Sequence, residues 1–186
     1  MNKQIFISHA WGLDSSNRDN HNRCIELSNK LKNNGYSVWI DNDEMIGNID
    51  AAIMKGINNC SVVLLCLNEK YCNKINNAVN YQCPNDNCFK EWNYTLFKKK
   101  MVIPIIMDFN TKNMLFNEGG VIQMYFNTTL YIDMSNSLND ELYLLYKTLN
   151  YYQIYNKQER KLIKYNTIYN ILREKSKKKL LYKKKS

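Results

Sequence analysis

The stretch Ser61-Val-Val-Leu-Leu-Cys-Leu67 is a continuous apolar run that carries no polar residue after its first serine. Strands of this kind are buried on both faces, which is typical of a parallel sheet that helices cover on both sides. The run therefore predicts a strand inside a parallel sheet. The rest of the fold can be worked out from its neighbours along the chain.

Four further runs rich in β-branched and aromatic residues predict the other strands. Pro104 lies within one of these runs and lacks a backbone donor, so it places that strand near a sheet edge or at a bulge. The four predicted strands are residues 3–8, 36–40, 101–107 and 128–133.

Helical patterns separate these strands. Because strands and helices alternate, each connection must cross over the sheet, and the strands must run parallel. Five such units predict an α/β fold of the flavodoxin-like type, a doubly wound five-stranded parallel sheet with strand order 2-1-3-4-5. The predicted helices are residues 20–33, 49–56, 71–75, a segment around Glu91 that ends near 99, and 140–152.

The net charge of +9 is concentrated at the end of the chain. Residues 157–186 hold 12 Lys or Arg and 2 Asp or Glu, whereas the first 156 residues hold 14 and 15. This imbalance predicts a near-neutral domain at 1–153 and a basic helical or disordered tail at 154–186. Such a tail can contact nucleic acid or an acidic membrane, and a solvated chain end has the same composition.

The six cysteines are scattered, and the sequence shows no secretory signal and no apolar run long enough to span a bilayer. We therefore expect reduced, mostly buried thiols in a cytoplasmic protein. Cys83 and Cys88 have four residues between them and no second cysteine pair. The two histidines, His9 and His21, lie outside any zinc-binding spacing, so we expect no metal.

In a doubly wound sheet, ligands bind beyond the carboxyl ends of the strands, where the first and third strands are neighbours. Loops 9–16, 41–48 and 68–87 are expected at this place, together with the start of the helix that carries Glu91. No G-x-G-x-x-G or Walker pattern occurs, which argues against a Rossmann dehydrogenase or a P-loop kinase.

Five segments occur in a distinctive order and spacing. They are Ile5-Phe-Ile-Ser-His-Ala-Trp11, Gly35-Tyr-Ser-Val-Trp-Ile-Asp41, Ser61-Val-Val-Leu-Leu-Cys-Leu67, Cys88-Phe-Lys-Glu91 and Val102-Ile-Pro-Ile105. Together they resemble the TIR (Toll/interleukin-1 receptor) domain family over about residues 3–150. Glu44-Met-Ile-Gly-Asn-Ile49 and Leu130-Tyr-Ile-Asp133 resemble TIR proteins of protists and microbes more than animal Toll receptors.

The resemblance implies two alternative functions. Many TIR domains are NAD+ nucleosidases, which cut the bond between nicotinamide and ribose and release linear or cyclic ADP-ribose. These members act in signalling or defence when they self-associate. Others are non-catalytic scaffolds that bind other TIR domains through the acidic loop, here residues 41–48. We expect the enzyme, with NAD+ as its substrate, and keep the scaffold as the alternative.

The resemblance also implies site residues. Enzymatic members carry a glutamate in a Cys-x-x-Glu-like setting at the start of the helix after the third strand, and Cys88-Phe-Lys-Glu91 matches this setting. It therefore implies Glu91 as the catalytic residue and Ala10, Trp11 and Ile46 as substrate-binding positions. Some enzymatic members have arginines where Ala10 and Trp11 stand, so the group that would hold the diphosphate is not identified.

The expected chemistry needs only one carboxylate. Nicotinamide leaves as a neutral group, and the transition state is an oxocarbenium-like ribose with developing positive charge. Glu91 near a helix N-terminus is expected to stay ionised and to stabilise that charge, or else to be a solvated helix charge. Trp11 either stacks on a ring of the substrate or lies on the protein's own surface. His9 is either a general base or a hydrogen-bonded structural residue.

Overall fold

A computed structural model describes residues 3–41, 47–80, 83, 85–115, 120–126 and 130–183. Its strands are β1 (Ile5–His9), β2 (Val38–Trp39), β3 (Val62–Leu67), β4 (Met101–Ile106) and β5 (Ile132–Asp133). Its helices are α1 (Asn20–Asn33), α2 (Ile49–Asn59), α3 (Glu69–Val79), α4 (Asn87–Phe97), α5 (Phe109–Asn113), α6 (Val121–Phe126), α7 (Leu142–Tyr151) and α8 (Lys157–Lys183).

The strands form one parallel sheet in the order β2-β1-β3-β4-β5, which confirms the predicted fold class. β3 pairs with β1 on one side and with β4 on the other, over all six residues of β4. The described part of β5 pairs only with Ile105 and Ile106. Pro104 therefore lies where β4 forms the edge of the described sheet, as the missing donor predicts.

Successive residues of β1 point to opposite faces of the sheet, and this alternation divides the core into two layers. Ile5 and Ile7 pack in the layer that α1 and α7 cover. Phe6 packs in the opposite layer, against α2. Ser8 and His9 continue the alternation at the carboxyl end of the strand, so their side chains enter different layers.

Two tryptophans, Trp39 and Trp92, are buried in the core. Trp39 stacks on Phe6 with ring centroids 4.2 Å apart, and Trp92 packs in the layer of α3 and α4. Gly56 on α2 makes this packing possible, because a Cβ atom there would lie 2.8 Å from the Phe6 ring and 2.9 Å from the Trp39 ring. The helix can therefore approach the sheet closely only with glycine at this position.

Asparagine and aspartate cap the first five helices along the chain, α1 to α5. Each of these side chains accepts a backbone N–H from the first turn, which satisfies a donor that has no partner inside the helix. The caps of α1 to α5, in order, are Asp19, Asn48, Asn68, Asp86 and Asp108. Because α4 begins directly after Asp86, Glu91 is the fifth residue of that helix.

Three helices differ from the sequence prediction. Helix α3 has 11 residues, whereas the pattern predicts only 71–75, and α5 and α6 lie in residues for which the sequence predicts no helix. Asparagine has a low helix propensity, and it fills much of the outer face of α3. Packing overrides that propensity, because residues at helical spacing are buried on the inner face of α3: Tyr71, Cys72, Ile75 and Ala78.

Tyr155–Ser186 form a compact unit separate from Met1–Ile154. Within it, α8 begins with a reciprocal capping arrangement. Asn156 Oδ1 accepts the N–H groups of Gln158 and Glu159, and Glu159 Oε2 accepts the N–H of Asn156. Over the part of the chain that the structure describes, no helix combines the length and apolarity needed to cross a membrane.

Candidate active site at the carboxyl ends of β1 and β3

Glu91 is directed into the protein, and only 6% of its surface is exposed. The Ser8 hydroxyl, near the carboxyl end of β1, donates a hydrogen bond of 2.6 Å to Glu91 Oε2. The carboxylate therefore lies at the end of the sheet where β1 and β3 are neighbours. The alternative that Glu91 is a solvated helix charge is wrong.

A second hydroxyl extends the contacts of Ser8. Tyr71 on α3 is fully buried, and its Oη lies 2.9 Å from Ser8 Oγ. The same oxygen donates to the Cys88 carbonyl at 3.3 Å. One chain of polar contacts thus joins β1, α3 and α4 within an otherwise apolar layer.

Burial raises the pKa of Glu91 to about 8. Loss of solvation is the largest cause; the hydrogen bond from Ser8 opposes it, the charges of Asp41 and Asp86 raise the pKa further, and Lys74 lowers it. The expectation that Glu91 stays ionised is wrong, because the loss of solvation on burial outweighs the groups that favour the charged form. The helix dipole acts mainly on the first turn of α4, and Glu91 lies beyond that turn. At pH 7 most molecules hold a proton on this carboxyl.

The hydrogen atoms in this row of polar contacts, from Glu91 through Ser8 and Tyr71 to Cys88, can take two arrangements. When Glu91 is protonated, it can donate to Ser8, and Ser8 can donate to Tyr71. Tyr71 then donates to the Cys88 carbonyl, so that every hydrogen is used. When Glu91 is ionised, Ser8 donates to the carboxylate and Tyr71 turns to Ser8. The same heavy atoms therefore accommodate both charge states of Glu91.

A second polar group, here called the His9 cluster, consists of His9, Trp11, His21 and Asp41. His9 Nε2 lies 2.8 Å from His21 Nδ1, and Asp41 Oδ1 lies 3.8 Å from each of these nitrogens. The Trp11 ring stacks on His21 at 4.1 Å, and its Nε1 donates to Asp41 Oδ2 at 2.6 Å. The fold brings these residues together because the ends of β1 and β2 meet the start of α1.

His9 is neutral at pH 7. Burial lowers the pKa of His9 to about 4, and the nearby His21 lowers it further, although Asp41 opposes the shift. Such a low pKa makes the imidazole a weak base at neutral pH, which disfavours a role as general base. The hydrogen bond to His21 agrees with the structural alternative for His9.

The three predicted substrate-binding positions differ in accessibility. The Ala10 side chain is fully buried, and its carbonyl accepts a hydrogen bond of 2.8 Å from Asn20 Nδ2. Trp11 is 59% exposed, so part of its indole covers His21 and part remains open to a ligand. Ile46 lies outside the described residues. The binding roles of all three stay predictions.

Two lysines that the sequence analysis missed lie near this site. Lys70 and Lys74, one turn apart on α3, line a cavity of about 370 Å³. Lys70 Nζ lies so close to Gly12 that a Cβ atom there would be 2.6 Å away. Lys74 pairs with Asp86 at 2.6 Å, and its charge lowers the pKa of Glu91. The sequence signal was weak because only part of α3 was predicted.

The family model described as TIR domain matches residues 5–145 of the chain. Among solved structures, the chain is similar to the TIR domain of the Toll-related receptor TRR-2 from the lower metazoan Hydra magnipapillata. That match has 18% sequence identity and a TM-score of 0.52, and it covers 82% of this chain and 98% of that chain. At this identity it shows a common fold. No curated protein matches the chain.

Proposed function

The chain belongs to the TIR-domain family, and we propose that it is an NAD+ glycohydrolase in which Glu91 is the catalytic carboxylate. One observation carries the proposal: a carboxyl group is buried at the carboxyl end of β1 and bound to Ser8, in place of the solvated charge found on most helices. Active-site carboxylates often have a pKa raised by burial, as Glu91 has.

In this reaction, the bond between the ribose C1′ and the nicotinamide nitrogen breaks, and its electron pair goes to the nitrogen. The nicotinamide ring loses its positive charge, and the ribose becomes oxocarbenium-like. Water adds to C1′ and loses one proton, which yields nicotinamide, ADP-ribose and H+. Attack by the substrate's own adenine in place of water would give cyclic ADP-ribose.

Glu91 must be ionised to stabilise the developing charge on the ribose. In the free protein it is largely protonated at pH 7, since burial raises its pKa to about 8. The cationic nicotinamide ring would favour the ionised form on binding, because an opposite charge lowers the pKa of a carboxyl group. Ser8 and Tyr71 can then reorient their hydrogens towards the carboxylate without moving.

The substrate's other groups match other described residues. Lys70 and Lys74 line a cavity on α3 that three acidic residues also line, Asp14, Glu69 and Asp108. Because Lys74 pairs with Asp86 at 2.6 Å, Lys70 is the cation that would bind a diphosphate there, in the part of the arginines that some enzymatic TIR domains carry at the positions of Ala10 and Trp11. The open part of the Trp11 indole can stack on nicotinamide or adenine.

The burial of Glu91 also supports activation by self-association. A carboxylate that is 6% exposed cannot meet a ribose until its surroundings rearrange. We therefore take this arrangement as the resting state, which association of TIR domains in signalling or defence would open. The rate per molecule should then rise with protein concentration, as it would not for an independent monomer.

The test is nicotinamide release from NAD+ by concentrated full-length protein, with Glu91→Gln beside it. Gln keeps the shape of the side chain and removes its charge, and we expect a loss of roughly 100-fold to 1,000-fold. Glu26→Gln is the matched control, because Glu26 is an exposed glutamate on α1 paired with Lys30 at 3.2 Å. Equal release by wild type and Glu91→Gln would remove Glu91 from the mechanism.

A specific surface favours the second candidate, a scaffold that binds other TIR domains. A groove of about 390 Å³ between α2 and α4 is lined by Met54, Tyr94 and Phe97, and Phe97 is 75% exposed. Exposed apolar grooves often mark protein interfaces. If the scaffold is the whole function, sedimentation should show association that Phe97→Ser abolishes. NAD+ should then remain intact at every protein concentration.

A further inference from the structure

We propose that the His9 cluster is a binding site for a divalent transition-metal ion of the Zn2+ class, with His9, His21 and Asp41 as its ligands. None of the three ligands takes part in the proposed NAD+ chemistry, although Trp11 lies beside both sites, and the metal proposal is tested without NAD+. Each ligand comes from a different part of the fold. His9 ends β1, His21 is the second residue of α1, and Asp41 follows the end of β2.

The spacing of the three ligand atoms fits a small ion. His9 Nε2, His21 Nδ1 and Asp41 Oδ1 are separated by 2.8, 3.8 and 3.8 Å. Two ligand atoms of a tetrahedral zinc ion lie about 3.3 Å apart when the bonds are about 2.0 Å long. The atoms therefore reach this geometry with shifts of about 0.5 Å, and each residue offers one ligand atom within the group.

The donor set indicates the class of metal. Two imidazole nitrogens and one carboxylate oxygen suit Zn2+ and neighbouring first-row ions, whereas Ca2+ and Mg2+ prefer oxygen ligands alone. Three protein ligands leave a fourth position for water or another small molecule, as in open zinc sites. The side chains of His21 and Asp41 are 14% and 10% exposed, so an ion has a route from solvent.

Residues around the cluster orient its ligands as outer-shell groups do in metal sites. Trp11 Nε1 donates to Asp41 Oδ2, which leaves Oδ1 towards the two histidines. Trp11 also stacks on His21 and restrains its ring. His9 makes a hydrogen bond with the backbone of Ile7.

Binding requires a change in hydrogen position but no net change in charge on the two histidines. In the hydrogen bond between His9 Nε2 and His21 Nδ1, one nitrogen carries the hydrogen. The ion replaces that hydrogen, which moves to the other nitrogen of the same imidazole. Both rings then present a lone pair to the metal while remaining neutral, which is the form in which histidine binds metal.

The proposal can be tested by titrating the full-length protein, purified without a histidine tag, with Zn2+ in a calorimeter and with Co2+ in an absorption spectrometer. We expect one ion per chain and a Co2+ spectrum of nitrogen and oxygen ligands. His21→Ala and Asp41→Asn should each weaken the affinity by roughly 100-fold or more, and Trp11→Phe by about 10-fold, because outer-shell losses are smaller. Circular dichroism checks that each variant is folded.

Two control variants exclude other metal-binding groups. The six cysteines are free thiols, five are buried as predicted, and Cys83 is exposed, so Cys83→Ser tests a thiolate site. Asp50→Asn tests surface carboxylates, because Asp50 pairs with Lys90 at 2.9 Å on another face. Both controls should bind like wild type. Loss of binding in Cys83→Ser, unchanged binding in His21→Ala and Asp41→Asn, or no binding by wild type at millimolar Zn2+ would each overturn the proposal.

Discussion

Ser8 and His9 are neighbours in sequence, yet they lead to two polar groups with different properties. Ser8 points into the layer of α3 and α4 and binds the Glu91 carboxyl, whereas His9 points towards α1 and binds His21. Burial acts on both groups in the same sense, because it favours the neutral form. It raises the pKa of Glu91 to about 8 and lowers that of His9 to about 4.

The comparison shows that burial determines the protonation state of Glu91 and His9, whereas the side chains that contact each residue determine which reactions or ligands it suits. Glu91 is hydrogen-bonded to the Ser8 hydroxyl, which in turn contacts the Tyr71 hydroxyl, and both hydroxyls can donate or accept as the charge of Glu91 changes. His9 faces an imidazole and a carboxylate, which are metal ligands. Two sites with separate roles can therefore lie side by side at the end of one strand.

The largest expected effect is on the free energy of unfolding, which the buried Glu91 carboxyl group lowers at high pH. The pKa of Glu91 is about 8 in the folded protein and near 4.5 in the unfolded chain. The contribution of this carboxyl group to the free energy of unfolding is therefore fully present below pH 4.5 and is lost as the pH rises to 8. Glu91→Gln should therefore raise the free energy of unfolding above pH 8 by roughly 5 kcal/mol and change it little at pH 4. Urea unfolding across this range, with Glu26→Gln as control, measures the difference. A gain that did not depend on pH would contradict the assignment.

His9 should show the opposite dependence. The pKa of His9 falls from 6.5 in the unfolded chain to about 4 in the folded protein. The contribution of His9 to the free energy of unfolding is therefore complete above pH 6.5 and is lost as the pH falls to 4. His9→Gln keeps a nitrogen near the position of Nε2 and removes the titration. Between pH 7 and pH 4, the free energy of unfolding of His9→Gln relative to wild type should improve by roughly 3 kcal/mol, as measured by urea unfolding. Parallel pH profiles for the two proteins would show that His9 does not carry this charge penalty.

Ser8→Ala should change the properties of Glu91 but not those of the His9 cluster, because Ser8 contacts only the former. The substitution leaves a buried carboxyl without its donor, which costs roughly 1–3 kcal/mol. It should also raise the pKa of Glu91 further, because the Ser8 hydrogen bond lowers it. The ascending limb of kcat/KM against pH, expected near 8 in wild type, should move to higher pH. Ser61→Ala, at an exposed serine before β3, should leave stability and pH profile unchanged.

The smallest effect on stability is expected for Trp11→Phe. The variant loses the hydrogen bond to Asp41 but can keep the ring on His21, and Trp11 is largely exposed. Thermal unfolding should therefore differ from wild type by less than about 1 kcal/mol. The same variant should weaken metal affinity, so a small change in stability beside a clear change in Zn2+ affinity would mark Trp11 as a positioning residue. A loss of several kcal/mol would instead make it part of the core.

Much of the fold could be predicted from local patterns. The strand predicted from the apolar run at 61–67 and the helix predicted at 20–33 depend on residues close together in the chain, and both are present in the structure, as β3 and α1. Predictions failed where packing outweighed local propensity. The asparagine-rich segment after Asn68 forms a full helix because its inner face is buried.

Local sequence patterns are enough to predict the parallel α/β sheet and the place of Glu91 on a helix, because hydrophobic periodicity depends on residues close together in the chain. The tertiary structure alone decided which polar groups meet. Ser8 binds Tyr71 and Glu91 across 63 and 83 residues, and His21 reaches His9 across 12. It also decided their protonation, since a pKa depends on solvation and neighbouring charges in the folded state.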